Sequence, residues 1–339
     1  MGCSSSRATR ATIRKPFMSR RALIFGISGQ DGSYLAKLLL REGYEVFGTS
    51  RDAEMSSFSN LDAVGIRDKV RLSSASLPDF RSVMQAIKWA EPDEIYNLSG
   101  QSSVGLSFSQ PMETMESIVT ATLNILEAIR FLNLDIRFYN AGSSECYGYT
   151  GEQPANEQTP FRPRSPYATA KAAAHWAVAN YRDAYGMYAC SGILFNHESP
   201  LRPSRFVTKK IISSAASIAK GQDKGPLLLG NLDIARDWGW APEYVDVIWR
   251  MLQAAQPKDY VVATGHSWLL REFVAEAFSA FDLDWQKYVR HEPTLVRPSD
   301  IIRSCGDPSL AAKELNWQAR VLMPEVVRRM VNAEKQQGA

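Results

Sequence analysis

From residue 22 onward, short apolar runs alternate with stretches in which apolar side chains recur every three or four positions. Residues 22–26 (ALIFG) form a run that ends in glycine, and Leu35, Leu38 and Leu39 then stand at helical spacing between Ser33 and Glu42. Residues 45–50 and 70–76 read as the next strands, and Val83, Ala86 and Ile87 share one face of a helix from Phe80 to Ala90. Strands over 94–99 and 137–143 follow, separated by one long helix from about Met112 to Phe131. A helix from Tyr167 to Tyr185 and a strand over 189–196 continue the series. Such repeated units predict an α/β fold, a doubly wound parallel sheet (modified Rossmann) with helices on both faces.

After Asn196 the pattern loosens. Residues 197–229 and 263–302 are rich in Pro, Arg and His, interrupted by a helix over 241–256 and a strand over 259–265 that returns to the sheet. The division that follows has a leader over 1–17 and a dinucleotide-binding domain over 18–196 with 230–262. A smaller, discontinuous α/β substrate domain covers 197–229 with 263–339. Ligands of open α/β sheets bind at the carboxyl ends of the strands, so the cleft between the two parts is the expected active site.

Three motifs lie at those strand ends. Gly26, Gly29 and Gly32, in GISGQDG, stand where the first strand turns into a helix. Small residues there let a pyrophosphate approach the helix N-terminus, whose amides and dipole favour anions. Where an acid after the second strand would hold a ribose hydroxyl, this chain has Thr49-Ser50-Arg51, and a guanidinium suits a 2′-phosphate, so NADP is the expected cofactor. Tyr167 and Lys171, four apart on one helix, bring an ammonium near a phenol; this predicts a phenol pKa lowered toward neutrality and a base for alcohol oxidation. Ser143, in GSSECYG, can bond the oxygen that Tyr167 deprotonates, and Glu145 is an extra acid/base. A dehydrogenase, epimerase or ketoreductase would not require Glu145, whereas elimination of water would. A protein that merely senses NADP would require none of Ser143, Tyr167 and Lys171.

With these motifs in place, the chain resembles the extended short-chain dehydrogenase/reductase superfamily, and within it the GDP-mannose 4,6-dehydratases. The resemblance runs from about residue 20 to 330 and includes GQDGSYL, PYATAK, FNHESP, FVTKKI and RDWG. It implies a lyase acting on a GDP-sugar, with Ser143, Glu145, Tyr167 and Lys171 catalytic. It also implies that Gln30, Asp31, Leu98, Asn196 and His197 join the glycines and Arg51 around NADP. Asn196, Glu198, Lys209, Arg236, Arg297 and Asp300 would face the nucleotide sugar. Two departures stand out. The loop after Arg51 is short, which favours a homodimer over a homotetramer, and NLSGQSSV replaces a commoner Asn-Leu-Ala-Ala-Gln-Ser-His-Val. These leave room for a related GDP-sugar such as a GDP-heptose.

Composition changes this picture little. The chain has 339 residues, 45% of them hydrophobic, and a formal charge of +3, which points to neither nucleic acid nor a membrane surface. Cys3, Cys146, Cys190 and Cys305 form no CxxC and have no metal-ligand spacing to a histidine, so no metal is expected and free thiols in a cytoplasmic protein fit. The first 21 residues hold six basic residues and no acid. Their MGCSSS opening matches an acylation pattern and their Arg/Ser content a transit peptide. Met18, directly before SRRALIFG, is also a natural start, and the simplest expectation is a leader that takes no part in the fold.

Overall fold

β1 (Arg21–Phe25) carries apolar side chains on both faces, and Ala22 to Phe25 are fully buried. A strand apolar on both sides needs a layer above and a layer below. Leu23 and Phe25 meet Val83, Ile87, Ile125 and Val178 on one face, while Ala22 and Ile24 meet Leu35, Leu39, Val247 and Ile248 on the other. The helices Phe80–Ala90, Ala121–Phe131 and Pro166–Tyr185 supply the first layer; Gln30–Arg41 and Ala241–Gln253 supply the second. The computed structural model describes residues 19–222, 225–296 and 298–337. The leader expected over 1–17 lies outside them.

β1 sits inside a seven-stranded sheet with β2 (Glu45–Ser50), β3 (Arg71–Ser74), β4 (Glu94–Asn97), β5 (Arg137–Ala141), β6 (Ala189–Leu194) and β10 (Tyr260–Val262). The order is β10-β6-β5-β4-β1-β2-β3, and every neighbouring pair is parallel. Chain order reverses between β1 and β4, which opens a crevice at their carboxyl ends. Caps set the helix limits. The Ser165 hydroxyl accepts from the Ala168 amide at 3.1 Å, Pro166 opens the helix, and Gly186 closes it in the left-handed region at φ +65.

The strand expected over 189–196 is divided. β6 ends at Leu194, and β7 (Asn196–Glu198) leaves the large sheet to pair with β9 (Ala235–Trp240), itself paired with β11 (Ser267–Leu269). β8 (Leu227–Leu229) and β12 (Val289–His291) form a further pair. Ile211, Ile212, Trp238, Phe273 and Val326 make a separate core there. The single helix expected from Met112 to Phe131 is likewise interrupted, by a π turn over Glu116–Thr120. No helix among the described residues is long and apolar enough to cross a membrane.

The edge of the sheet opposite the crevice is tied by one carboxylate. Glu94, at the start of β4 and 1% exposed, accepts hydrogen bonds from Tyr44 at 3.0 Å, Tyr96 at 2.7 Å, Arg20 at 3.2 Å and Gln253 at 3.1 Å. These partners come from the chain before β1, from β4 itself, from the turn after Gln30–Arg41 and from the last residue of Ala241–Gln253. Burial, reinforced by the Glu94 charge, pushes the Tyr44 phenol up to about 12, so it stays a donor. Replacing Glu94 by Ala strands buried hydroxyls and removes the ion-pair partner of Arg20. We expect Glu94→Ala to lower unfolding free energy by about 2–4 kcal/mol in urea titrations, with a loss below about 0.5 kcal/mol showing that the hub is dispensable.

Candidate active site

The glycines of GISGQDG do different work. Gly26 has φ +87, and a Cβ there would lie 2.9 Å from the Leu98 carbonyl carbon and oxygen at the end of β4. A Cβ at Gly32 would lie 2.3 Å from the Gly26 oxygen. Both are glycine because the chain's own packing demands it. Gly29 is different: its φ of −74 suits any residue, and a Cβ would approach only the Gly26 oxygen, at 3.4 Å. Its missing side chain leaves the N-terminus of Gln30–Arg41 bare, with no side chain capping it. A cradle of unbonded amides that a side chain would crowd fits a pyrophosphate. Arg51 is exposed just after β2, and Asp52 beside it accepts from the Glu54 and Met55 amides at 3.1 and 3.0 Å.

Gln30 and Asp31 turn away from that cradle toward β7. His197 lies 2.9 Å from Asp31 through Nε2 and 2.7 Å from the Phe195 oxygen through Nδ1, and stacks on Tyr244. Gln30 donates to the His197 carbonyl at 3.2 Å and accepts from the Ser199 hydroxyl at 2.7 Å. Burial opposes both charges, yet the pairing outweighs it: Asp31 is held below, and His197 above, its ordinary value. These residues join the glycine turn to the smaller core, a link that residue spacing alone did not disclose.

A cavity of about 410 Å³ opens at the carboxyl ends of β4, β5 and β6, with Asp31 of the helix after β1 also on its lining. Ser143, Glu145, Tyr167 and Lys171 line it. Ser143 caps the short turn that carries Glu145, its hydroxyl accepting from the Glu145 amide at 3.3 Å. Lys171 donates to the Ala141 carbonyl at 2.8 Å and sits 5.9 Å from the Tyr167 ring centre. The expectation of a phenol lowered toward neutrality is not met in the ligand-free chain. Burial pushes Tyr167 up, and the Ser143 hydroxyl and Arg202 offset only part of this. Burial likewise lowers Lys171 to about 8.

The wall formed by the smaller part is cationic. Arg236, 5% exposed, lines the cavity and donates to the Ile301 carbonyl at 2.6 Å, and Asp300 accepts from it at 3.1 Å. Asp300 therefore orients an arginine and does not itself line the cavity. Glu198 is engaged too, with Thr208 at 2.6 Å and Arg202 at 3.1 Å, while Leu98 and Asn196 lie on the lining. Lys209 points elsewhere and pairs with Glu334 at 2.6 Å; its neighbour Lys210 reaches the cavity instead. One residue of helix rotation, about 100°, separates the two. Arg297 lies outside the described residues. Arg202, Arg205 and Lys210, which sequence reasoning passed over, add charge to this wall; basic residues in a loop carry no spacing signal, and only the closure of the cleft gathers them.

A sequence model of the GDP-mannose 4,6 dehydratase family matches residues 23–330. The chain is 43% identical over 324 residues to GDP-mannose 4,6 dehydratase 1 of Arabidopsis thaliana, spanning 92% of this chain and 89% of that protein. It is 41% identical over 351 residues to GDP-mannose 4,6-dehydratase of Vibrio cholerae, spanning 93% and 94%. Among solved structures, UDP-glucose 4-epimerase of Thermus thermophilus, in complex with NAD, superposes with a TM-score of 0.82 at 26% identity over 93% of this chain and 99% of that one. With the parallel sheet and the cavity at its carboxyl edge, this likeness along nearly the whole length means that the chain belongs to the GDP-mannose 4,6-dehydratase family of hydro-lyases, on the short-chain dehydrogenase/reductase fold.

Proposed function

We propose that this protein is an NADP-dependent GDP-mannose 4,6-dehydratase, forming a 4-keto-6-deoxy sugar by oxidation at C4, loss of water across C5–C6 and reduction at C6. The observation that carries the reading is Glu145 on the same cavity wall as Ser143, Tyr167 and Lys171. Oxidation at C4 needs only the last three. Elimination needs a further group that takes a proton from C5 and gives one to the departing 6-hydroxyl, and one carboxyl group can do both in turn.

The bare helix N-terminus beside Gly29 fits a dinucleotide pyrophosphate, and Gly26, Gly32, Leu98, Asn196 and His197 would surround the rest. Once bound, a nicotinamide dinucleotide supplies a hydride acceptor for C4 and a donor for C6, and ends as it began. Arg51 favours NADP over NAD, because a guanidinium can pair with a 2′-phosphate. Tyr167 takes the 4-hydroxyl proton while Ser143 holds that oxygen. Lys171, with an amine near 8, is mostly protonated at neutral pH, and its charge favours the phenolate as that proton moves. The new 4-ketone acidifies C5–H within reach of Glu145. Arg236, oriented by Asp300, and the neighbouring Arg205 and Lys210 suit the diphosphate of the sugar nucleotide. In this reading residues 18–196 with 230–262 hold the cofactor, except that β9, paired with β7 and β11, carries Arg236 on the sugar-nucleotide side, and 197–229 with 263–339 hold the nucleotide sugar.

Incubating the purified protein with GDP-mannose and no added coenzyme should yield a GDP-4-keto-6-deoxy sugar, read by mass spectrometry; absence of any product, also with NADP added, would reject the reaction. Arg51→Ala should weaken NADP by on the order of 1.5–3 kcal/mol and leave NAD nearly unchanged in calorimetric titrations; equal losses would exclude a 2′-phosphate contact. Glu145→Gln keeps shape but removes the titratable group, so turnover should fall about 10²–10⁴-fold. In a single turnover of that variant, the absorbance of reduced nicotinamide should persist and exchange of C5–H with heavy water should drop. Product formation at the wild-type rate would leave Glu145 with a structural role only.

A further inference from the structure

One helix beneath the cavity is not regular. Between Pro111–Met115 and Ala121–Phe131 the chain makes a π turn over Glu116–Thr120. Such a turn abandons the regular hydrogen-bond ladder and is frequent at functional sites. Here it presses Ile118, 3% exposed, against Tyr167, Ala170 and Ala174.

A run of buried hydrogen bonds holds this turn in place. The Thr122 hydroxyl, 1% exposed, donates to the Ile118 carbonyl at 2.7 Å. Asn97 extends its amide to Thr122 at 3.3 Å and to the Asn140 oxygen at 3.0 Å. Asn97 and Asn140 are direct partners in the β4–β5 register, and both are buried. Toward the cavity, the Ser99 hydroxyl donates to Asn97 at 2.6 Å, and the Gln101 amide donates to the Ser117 hydroxyl at 3.2 Å. Gly100, at φ +106, is so close to the π turn that a Cβ would lie 2.9 Å from the Ser117 oxygen. At the other end, Asn140 directly precedes Ala141, whose carbonyl receives the Lys171 amine.

Paired asparagines inside a parallel sheet are costly to desolvate compared with the aliphatic residues usual there. Here three of the four side-chain polar atoms of the pair are hydrogen-bonded, which offsets much of that cost, while Asn140 Nδ2 has no partner among the described residues. What this network joins is specific: the loop 99–101 on the cavity wall, the back of the Tyr167 ring, and the carbonyl that anchors Lys171. We propose that Thr122 and Asn140 are positioning residues of the active site, holding Tyr167 through the π turn and Lys171 through β5 at fixed places relative to the cavity loop. This rests on the reading of Tyr167 and Lys171 as the oxidising pair. Neither Thr122 nor Asn140 lines the cavity, so each would act through the group it holds.

Thr122→Val conserves shape and removes the hydroxyl. We expect the variant to fold and to keep its KM for GDP-mannose within about twofold, while kcat falls about 10- to 100-fold, the scale of a small misplacement of reacting groups. Thr122→Ser should restore kcat. Asn97→Leu combined with Asn140→Leu removes both amides together, so that neither strands the other and the variant should still fold, and should show the same loss confined to kcat. A kcat at the wild-type level in folded Thr122→Val and in the double variant would overturn the proposal. The Lys171 amine gives a readout that needs no substrate. In protein carrying ¹³C-labelled lysine, its titration midpoint should rise from about 8 toward the ordinary lysine value as the anchor loosens and water enters. If the unaltered protein does not convert GDP-mannose, the proposed reaction fails on its own; a Lys171 midpoint unmoved in both variants would then still refute the positioning role.

Discussion

The structure depends on a steric pinch at the end of β1. Gly26 touches the backbone of Leu98, and Gly32 touches Gly26, so that β1, β4 and the first helix meet with no room for a single methyl group. This contact brings the helix N-terminus to the point where strand order reverses. It also leaves Gly29 facing outward with a bare helix end. The rest of the cavity edge follows from that point, because β4 pairs with β1 and β5 with β4, in register, and all three end at about the same level.

The two edges of the sheet use buried polar groups in opposite ways. At the far edge Glu94 gathers its donors into a closed set that fastens strands to helices. At the cavity edge the polar groups are arranged in chains that end on the cavity wall. The Asp31–His197 pair ties the glycine turn to β7, and the Asn97–Asn140 pair ties the cavity loop to β5. A buried charge such as Asp31 is held by its partner, and both pairs fix which elements lie next to each other. The cavity is thus built from loops, but the loops are pinned to strands.

Charge in the cleft follows the same division. The sheet side contributes Glu145 and a buried amine, Lys171, while the smaller part contributes Arg202, Arg205, Lys210 and Arg236. Glu198 and Asp300 each hold an arginine and so restrain this cationic wall without cancelling it. A cleft with few carboxylates near the sheet and several cationic groups opposite is complementary to a diphosphate.

Period and punctuation in the sequence determined the alternation of strands and helices, the parallel sheet and the three motifs at its carboxyl edge, because local spacing dictates which face each side chain takes. Strands over 45–50 and a helix over 80–90 were legible to the residue, and Tyr167 and Lys171 had to share a helix face. Tertiary structure alone decided the rest. The departure of β7 from the sheet after Leu194 depends on β9, distant in sequence. The π turn lies beside hydrogen bonds that run from β4 and β5 to Thr122, which no helical periodicity records. Lys209 against Lys210 turned on a single residue of helix phase relative to the helix Met323–Gln337. The raised phenol of Tyr167 turned on how deeply it is buried, a quantity set by the elements packed around it and not by the lysine four residues on. Local order follows from covalent spacing and backbone geometry; which distant groups become neighbours, and how much water they keep, is settled only when the layers close.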